Sequence, residues 1–436
     1  MKKLLLLYFL PFFFTACSAP GDPPSDSLVN TAHLEHLYEA DTIGDTRLGA
    51  IWIYSEAPDY RLVADADEGF TCVDDVARAL VFYCRRYPSN PPPEVLDKIR
   101  TLTEFLLYMQ ADNGFFYNFL LPGPKVNKTH RNSEAVAGWW SWRAFWALSE
   151  VNLVAADGLA DLHSRNRTVL DTLVVKMQAL CPAEGEPIAF DGLPVPACLA
   201  DLGADQVGVI MIGLANYYRV NPSEAIKRLL LSFGEQLLDT QQGDAQNWPY
   251  YAFPSWRNYW HAWGNSQAYA LLYSGRTLRH EPFIQAGLNE VRYFYPYCLE
   301  EGFLNGFKVV KEADSLLMQE YQQFPQIAYA IRPMAFASLE AFSITGDTTY
   351  AVTAGRLASW LFGNNPAEQE MYDPLSGRTF DGINSPTDVN HNSGAESTIE
   401  ALLCLQAVEA VPEAWKVVKA FLEKREKAPQ LTNPQH

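Results

Sequence analysis

The chain has 436 residues, 19% of them charged and 13% aromatic, including 11 Trp, 22 Tyr and 24 Phe. That composition supplies a large core and excludes disorder or a coiled coil as a description of the whole chain. Fifty-one Asp and Glu against 33 Lys and Arg leave a net charge of −18, a balance that repels polyanions and excludes nucleic acid as an expected partner.

Lys2 and Lys3 precede an apolar run from Leu4 to Phe14, followed by Thr15, Ala16 and Cys17. A basic start, a short apolar segment and small residues before a cleavage point read as a secretory signal peptide, too short to remain as a membrane span. Phe-Thr-Ala-Cys resembles the bacterial lipobox, which makes residues 1–16 a lipoprotein leader and Cys17 the lipidation site. An ordinary signal peptide cut nearby predicts the same export. Residues 17–27 form a Pro-rich polar tether, and 28–436 are expected to be one domain, held at the outer membrane or periplasmic face only through the N-terminal lipid. Of the remaining cysteines, Cys181 and Cys198 flank a Pro- and Gly-containing loop and are the expected disulfide. The others read as buried small hydrophobes. Neither Cys-x-x-Cys nor His-x-x-x-His spacing occurs, so no zinc site and no cofactor are expected.

From residue 70 onward the chain repeats a helix, a short turn, a second helix and a longer loop. The predicted pairs are 74–87 with 93–111, 134–153 with 157–180, 205–220 with 222–241, 263–279 with 281–297, 322–345 with 347–363, and 396–411 with 413–426. First helices are nearly uncharged, as in Ala135 to Leu148 and Gln206 to Tyr218, and a helix that is apolar all round is buried. Second helices carry charges on one stripe only. Six buried helices wrapped by six amphipathic ones predict an all-α (α/α)6 toroid, with minor short β segments in the rim loops.

In such a ring the inner helices run parallel and gather their starts at one rim. Asp74 and Asp75, Glu134, Asp205, the run Trp263-Gly264-Asn265, and Glu396 stand at those starts. Acids in a first turn complement the helix dipole, which explains any one of them. Several acids interleaved with Trp139, Trp140, Trp142, Trp256, Trp260 and Trp263 favour a ligand site, with Trp139, Trp142 and Trp146 assigned to the core.

The segment Cys-Val-Asp-Asp-Val-Ala-Arg-Ala-Leu (72–80) resembles the Asp-Asp-x-Ala-Arg-Ala motif of helical toroids related to six-hairpin glycosidases, also found attached to some family 4 glycosyltransferases. Residues 109–121, 133–148 and 360–403 are similar to further motifs of that group in the same order, the last containing Asn-Ser-Gly-Ala-Glu-Ser-Thr. The resemblance implies the toroid fold and a carbohydrate context. Ala135 departs from the pattern, which carries Asp there, and the fourth hairpin (260–272) brings no carboxylate.

Glycoside hydrolysis needs two carboxyl groups flanking the bond. Asp74 and Asp75 lie about 100° apart on a helix, so one is expected to order its helix and pair with Arg78 while the other faces the bowl. Asp75 is the expected working carboxylate, with Asp74 kept in play by analogy to family 76 glycoside hydrolases. Glu396 ranks above Glu134 as the second group, the general acid. Arg78, Trp140, Trp260, His261, Trp263, Asn265, Asp381 and Asn392 are the expected substrate contacts, although Asp381 also reads as a turn former and His261 equally as a satisfied aromatic-cluster histidine. An oligo- or polysaccharide is the expected partner. The alternatives are a noncatalytic glycan-binding lipoprotein and a polysaccharide lyase or epimerase, the lyase requiring Arg131, Arg257, Arg332 and His261 to line the bowl.

Overall fold

The computed structural model describes residues 27–181 and 185–427; the leader, Cys17 and nearly all of the tether lie outside the described residues. The inner helices are Val73–Arg86, Trp139–Val151, Ala204–Val220, Gln267–Leu278, Ala328–Thr345 and Ala395–Glu409. Each is followed by an outer partner: Pro93–Tyr108, Ala160–Met177, Glu224–Leu238, Glu281–Asn289, Thr348–Ala358 and Pro412–Lys427. Every inner helix packs on the next, and the sixth packs back on the first. The ring is closed, an (α/α)6 toroid as the charge pattern predicts.

The core follows from that arrangement. Inner helices are buried around most of their circumference, with Trp142, Phe145, Tyr217 and Leu403 fully enclosed. Outer helices bury one stripe, such as Ile99, Leu102, Phe105 and Leu106 of the first. Short antiparallel hairpins fill the loops, among them Tyr38–Ile43 with Thr46–Ile51, and Gly306–Glu312 with Ser315–Gln322. Cys181 and Cys198 are joined, with Cα atoms 5.1 Å apart, while Cys72, Cys84, Cys298 and Cys404 are free and buried.

Three predicted helix starts move. The second inner helix begins at Trp139, not 134, because Gly138 is extended (φ −151°) and the Ser133 hydroxyl binds the loop to the backbone of Asn118, Phe119 and Asn127. The fourth begins at Gln267 after a single turn of 3-10 helix, Ala262–Gly264. The fifth begins at Ala328, because 322–327 complete the strand ending at Gln322 and its exit loop. The fourth outer helix is also interrupted: a π turn spans Glu290–Phe294 before the helix resumes as Tyr295–Glu300, where Pro296 has no N–H for the regular ladder. Burial pushes the Glu290 carboxyl in that turn up to about 8, and it accepts the Phe253 N–H at 2.7 Å.

Close approach of outer helices requires glycine at 234. A Cβ there would lie 2.0 Å from Phe283 Cζ. Gly234→Ala gains about 1 kcal/mol of helix propensity, but overpacking costs more, for an expected net loss of about 1 to 2 kcal/mol. Urea denaturation measures it; an unchanged or raised midpoint contradicts the tight contact.

Candidate active site at the ring seam

The first and last inner helices meet where the ring closes. Arg78, fully enclosed there, distributes its donors over three carboxylates: Nη1 to Asp75 Oδ1 at 3.0 Å, Nη2 to Glu396 Oε2 at 2.6 Å, and Nε to Glu400 Oε1 at 3.0 Å. Glu400 also accepts from Arg332 Nε at 2.6 Å, which ties in the fifth inner helix. Asp74 turns the other way, 2.8 Å from Arg143 Nε of the second inner helix. The Tyr329 ring lies among all three guanidinium groups, at 5.1 Å from Arg78, 4.9 Å from Arg143 and 5.4 Å from Arg332. Three arginines thus face four carboxylates, leaving no surplus of positive charge.

Above this network lies an open cavity of about 160 Å³, lined by Ile53, Tyr54, Asp75, Tyr329, Asp381 and Glu396 among others. Cys72 caps the first inner helix. Its sulfur accepts the Asp75 N–H at 3.4 Å, and its thiol donates to Asp75 Oδ2 at 3.2 Å. Burial pushes the Asp75 carboxyl from 3.8 up to about 6; Arg78 opposes that rise, while Glu396 and Asp74 add to it. Glu396 is the accessible member, with 42% of its side chain exposed. Asp381 Oδ1 accepts from Gly394 N at 2.8 Å and Ser397 Oγ at 2.6 Å at the start of the last inner helix. Burial raises its carboxyl against those two bonds. Asp381 is thus the turn acceptor expected of it, and it also lines the cavity.

Several sequence expectations are corrected. Asp75, not Asp74, takes the pairing with Arg78, and it faces the cavity as well. Arg78 is itself enclosed by its three acceptors and does not line the cavity, so it positions carboxylates and is not a substrate contact. Glu134 is exposed in the turn before the second inner helix and takes no part in the seam. Trp140 donates its indole N–H to Phe116 O and Glu134 O, which pins that same turn. Trp260 is core, stacked on Phe307 with centroids 5.2 Å apart. Asn392 accepts the Ala57 N–H at 3.0 Å and ties two loops. Asn265 is buried away from the cavity lining.

His261 and Trp263 form a separate group on the same rim. His261 Nε2 lies 3.3 Å from Asp205 Oδ2, and Trp263, 41% exposed, stacks on the imidazole at 3.6 Å. Burial raises the Asp205 carboxyl, and His261 opposes the rise. Of the arginines a lyase would need, Arg332 is buried against Glu400, Arg257 packs on Trp256 at 4.1 Å, and Arg131 is exposed; none lines the cavity. Glu400 and Tyr329 were not singled out from sequence, although Tyr329 is the second residue of its inner helix and Glu400 lies one turn after Glu396 on the same face.

No protein-family model matches the chain, and no curated protein matches its sequence. In three dimensions it is similar to a sugar epimerase from a ruminal bacterium, at 13% identity over 89% of this chain and 97% of that one, with a TM-score of 0.61. It is similar to a family 76 glycoside hydrolase from a bovine Bacteroides thetaiotaomicron strain, at 10% identity over 90% of this chain and 78% of that one, TM-score 0.57. A D-mannose isomerase aligns at 11% identity over 88% of this chain and 99% of that one, TM-score 0.56. At these identities the likeness is one of fold, the six-hairpin ring, and these proteins perform different reactions on it.

Removing Glu400 leaves two enclosed guanidinium groups short of an acceptor. Glu400→Ala is expected to cost about 3–5 kcal/mol, read by chemical denaturation. A loss below 1 kcal/mol contradicts the role given to the seam.

Proposed function

We propose that this chain is a carbohydrate-active enzyme that hydrolyses a glycosidic bond in the seam cavity. The observation that carries the reading is the pair Asp75 and Glu396: two carboxyl groups of unlike environment on one cavity, both fixed by Arg78. A general acid works best with a pKa near the operating pH, and burial brings Asp75 to about 6. Asp75 is therefore the proton donor to the leaving oxygen. Glu396, open to the cavity, is the carboxylate that attacks the sugar or activates water. Asp381, with one oxygen held by Gly394 and Ser397, orients a sugar hydroxyl. Balanced charge below the cavity favours a neutral glycan over a polyanionic one. The structural likeness to a glycoside hydrolase and to sugar epimerases supports a sugar substrate.

The readout is reducing-end release from a panel of neutral oligosaccharides. Asp75→Asn is expected to lower kcat/KM by about 10²- to 10⁴-fold. The wild-type value is expected to fall as pH rises through about 6, because the protonated form of Asp75 is lost there. A variant as active as wild type ends this assignment.

The Asp205–His261 pair favours a second reading, epimerisation or isomerisation of a sugar by proton transfer at carbon. Incubation of reducing sugars in D2O separates the two. Deuterium incorporated at a sugar carbon with the glycosidic bond intact, and lost in His261→Asn, selects the second; bond cleavage without exchange selects the first.

Export and anchoring through Cys17 complete the proposal. Mass spectrometry of the mature N-terminus is expected to find a lipid-modified Cys17, and an unmodified N-terminus elsewhere contradicts it.

A further inference from the structure

A second cavity lies outside the ring, between the first β-hairpin and the loop after Phe119. The hairpin pairs Glu39 with Ala50 and Asp41 with Leu48. Because side chains alternate along a strand, Glu39, Asp41 and Ile43 share one face with Leu48, Ala50 and Trp52. The opposite face packs on the first outer helix, where Tyr38 Oη meets Thr101 Oγ1 at 2.8 Å and a Cβ at Gly49 would lie 2.7 Å from the same oxygen. The first face also meets that helix, at Phe105, and buries Leu48 and Ala50, but Glu39 and Asp41 on it are exposed. It borders an open cleft of about 220 Å³, closed on the far side by Phe70, Leu120 and the turn Pro122-Gly123-Pro124.

The chemistry of this cleft is specific. Trp52 and Phe70 form a tilted ring pair with centroids 5.0 Å apart. The Trp52 indole N–H donates to Glu39 Oε2 at 2.7 Å, which fixes the ring plane. The only charged groups lining the cleft are Glu39 and Asp41; no Lys, Arg or His is among the lining residues. A ligand that fits must present an apolar face to the rings and hydrogen-bond donors to two carboxylates, and a sugar ring with its C–H face and hydroxyls does both. Location adds to this. Trp52 lines the outer cleft, and the next two residues, Ile53 and Tyr54, line the seam cavity, so a single segment of chain separates the two.

We propose that the Trp52 cleft is a remote subsite for the same neutral glycan, holding a sugar several units away from the bond at Asp75 and Glu396. The inference rests on the glycan reading of the seam cavity. Its consequence is a preference for longer substrates: a chain that reaches from one cavity to the other gains contacts that a disaccharide lacks.

The test uses the full chain with disaccharides and hexasaccharides of neutral linear glycans. Calorimetric binding is measured in the Asp75→Asn background, with and without Trp52→Ala. Hexasaccharide affinity is expected to fall about tenfold on Trp52→Ala, while disaccharide cleavage by the Trp52→Ala single variant stays at the wild-type rate. Glu39→Ala, at an exposed position, repeats the measurement without removing a packed ring and is expected to weaken hexasaccharide binding in the same direction. Hexasaccharide binding unchanged in both variants overturns the subsite and leaves the seam reading standing. No binding of any oligosaccharide to any variant overturns both. Binding of alkylammonium amphiphiles but not of sugars, abolished by Trp52→Ala, reassigns the cleft and overturns this proposal alone.

Discussion

One buried guanidinium holds the ring together where it has to close. Arg78 sits near the start of the first inner helix and reaches Glu396 and Glu400 on the last, partners 318 and 322 residues away in sequence. Bringing such distant segments together is a costly loop closure, and it must be made before the contacts that reward it exist. Enclosed charges tolerate that position only when every one is paired. The seam meets the condition by chaining Asp75, Arg78, Glu400 and Arg332, with Tyr329 among the guanidinium groups.

The same pairing determines what the cavity can do. A guanidinium that must satisfy three acceptors fixes the orientation of each, so Asp75 and Glu396 are pre-positioned without any ligand present. Their environments then diverge. Asp75 is enclosed behind the Cys72 cap and its carboxyl rises, whereas Glu396 lies open to solvent on one side. Two carboxyl groups made unlike by burial are what acid-assisted cleavage of a glycosidic bond requires. Structural closure and site chemistry therefore depend on one side chain, and Arg78 is a positioning residue for both.

Much of this was legible in the sequence, for identifiable reasons. The inner helices were found because a buried helix shows no charged stripe, and the rim because parallel helices put their starts together. That logic puts Asp75 and Glu396 at one rim, and they border one cavity together with Asp381. The errors came from loops. Glu134 falls on the predicted helix because Ala135 to Leu148 is nearly uncharged, yet Gly138 and the Ser133 hydroxyl hold residues 134–138 outside it. Trp260 reads as a rim aromatic because it neighbours Trp263, but a strand pairing carries it onto Phe307, while Trp256 and Trp263 stay exposed. The Arg78, Glu400 and Arg332 chain joins residues from three hairpins, and no local pattern reports contacts of that range. Glu39, Asp41 and Trp52 were passed over because the segment before residue 70 has no helical period, and strand alternation over six residues is a weak signal beside six hairpins.

In the proposed reaction Asp75 is the group that meets the scissile bond. A structure of the Asp75→Asn protein with an uncleaved neutral oligosaccharide tests this most directly. The glycosidic oxygen is expected within about 2.6–3.2 Å of the side chain at position 75, with Glu396 beside the same sugar. A glycan held instead against His261 and Trp263, with the seam cavity empty of sugar, would contradict it.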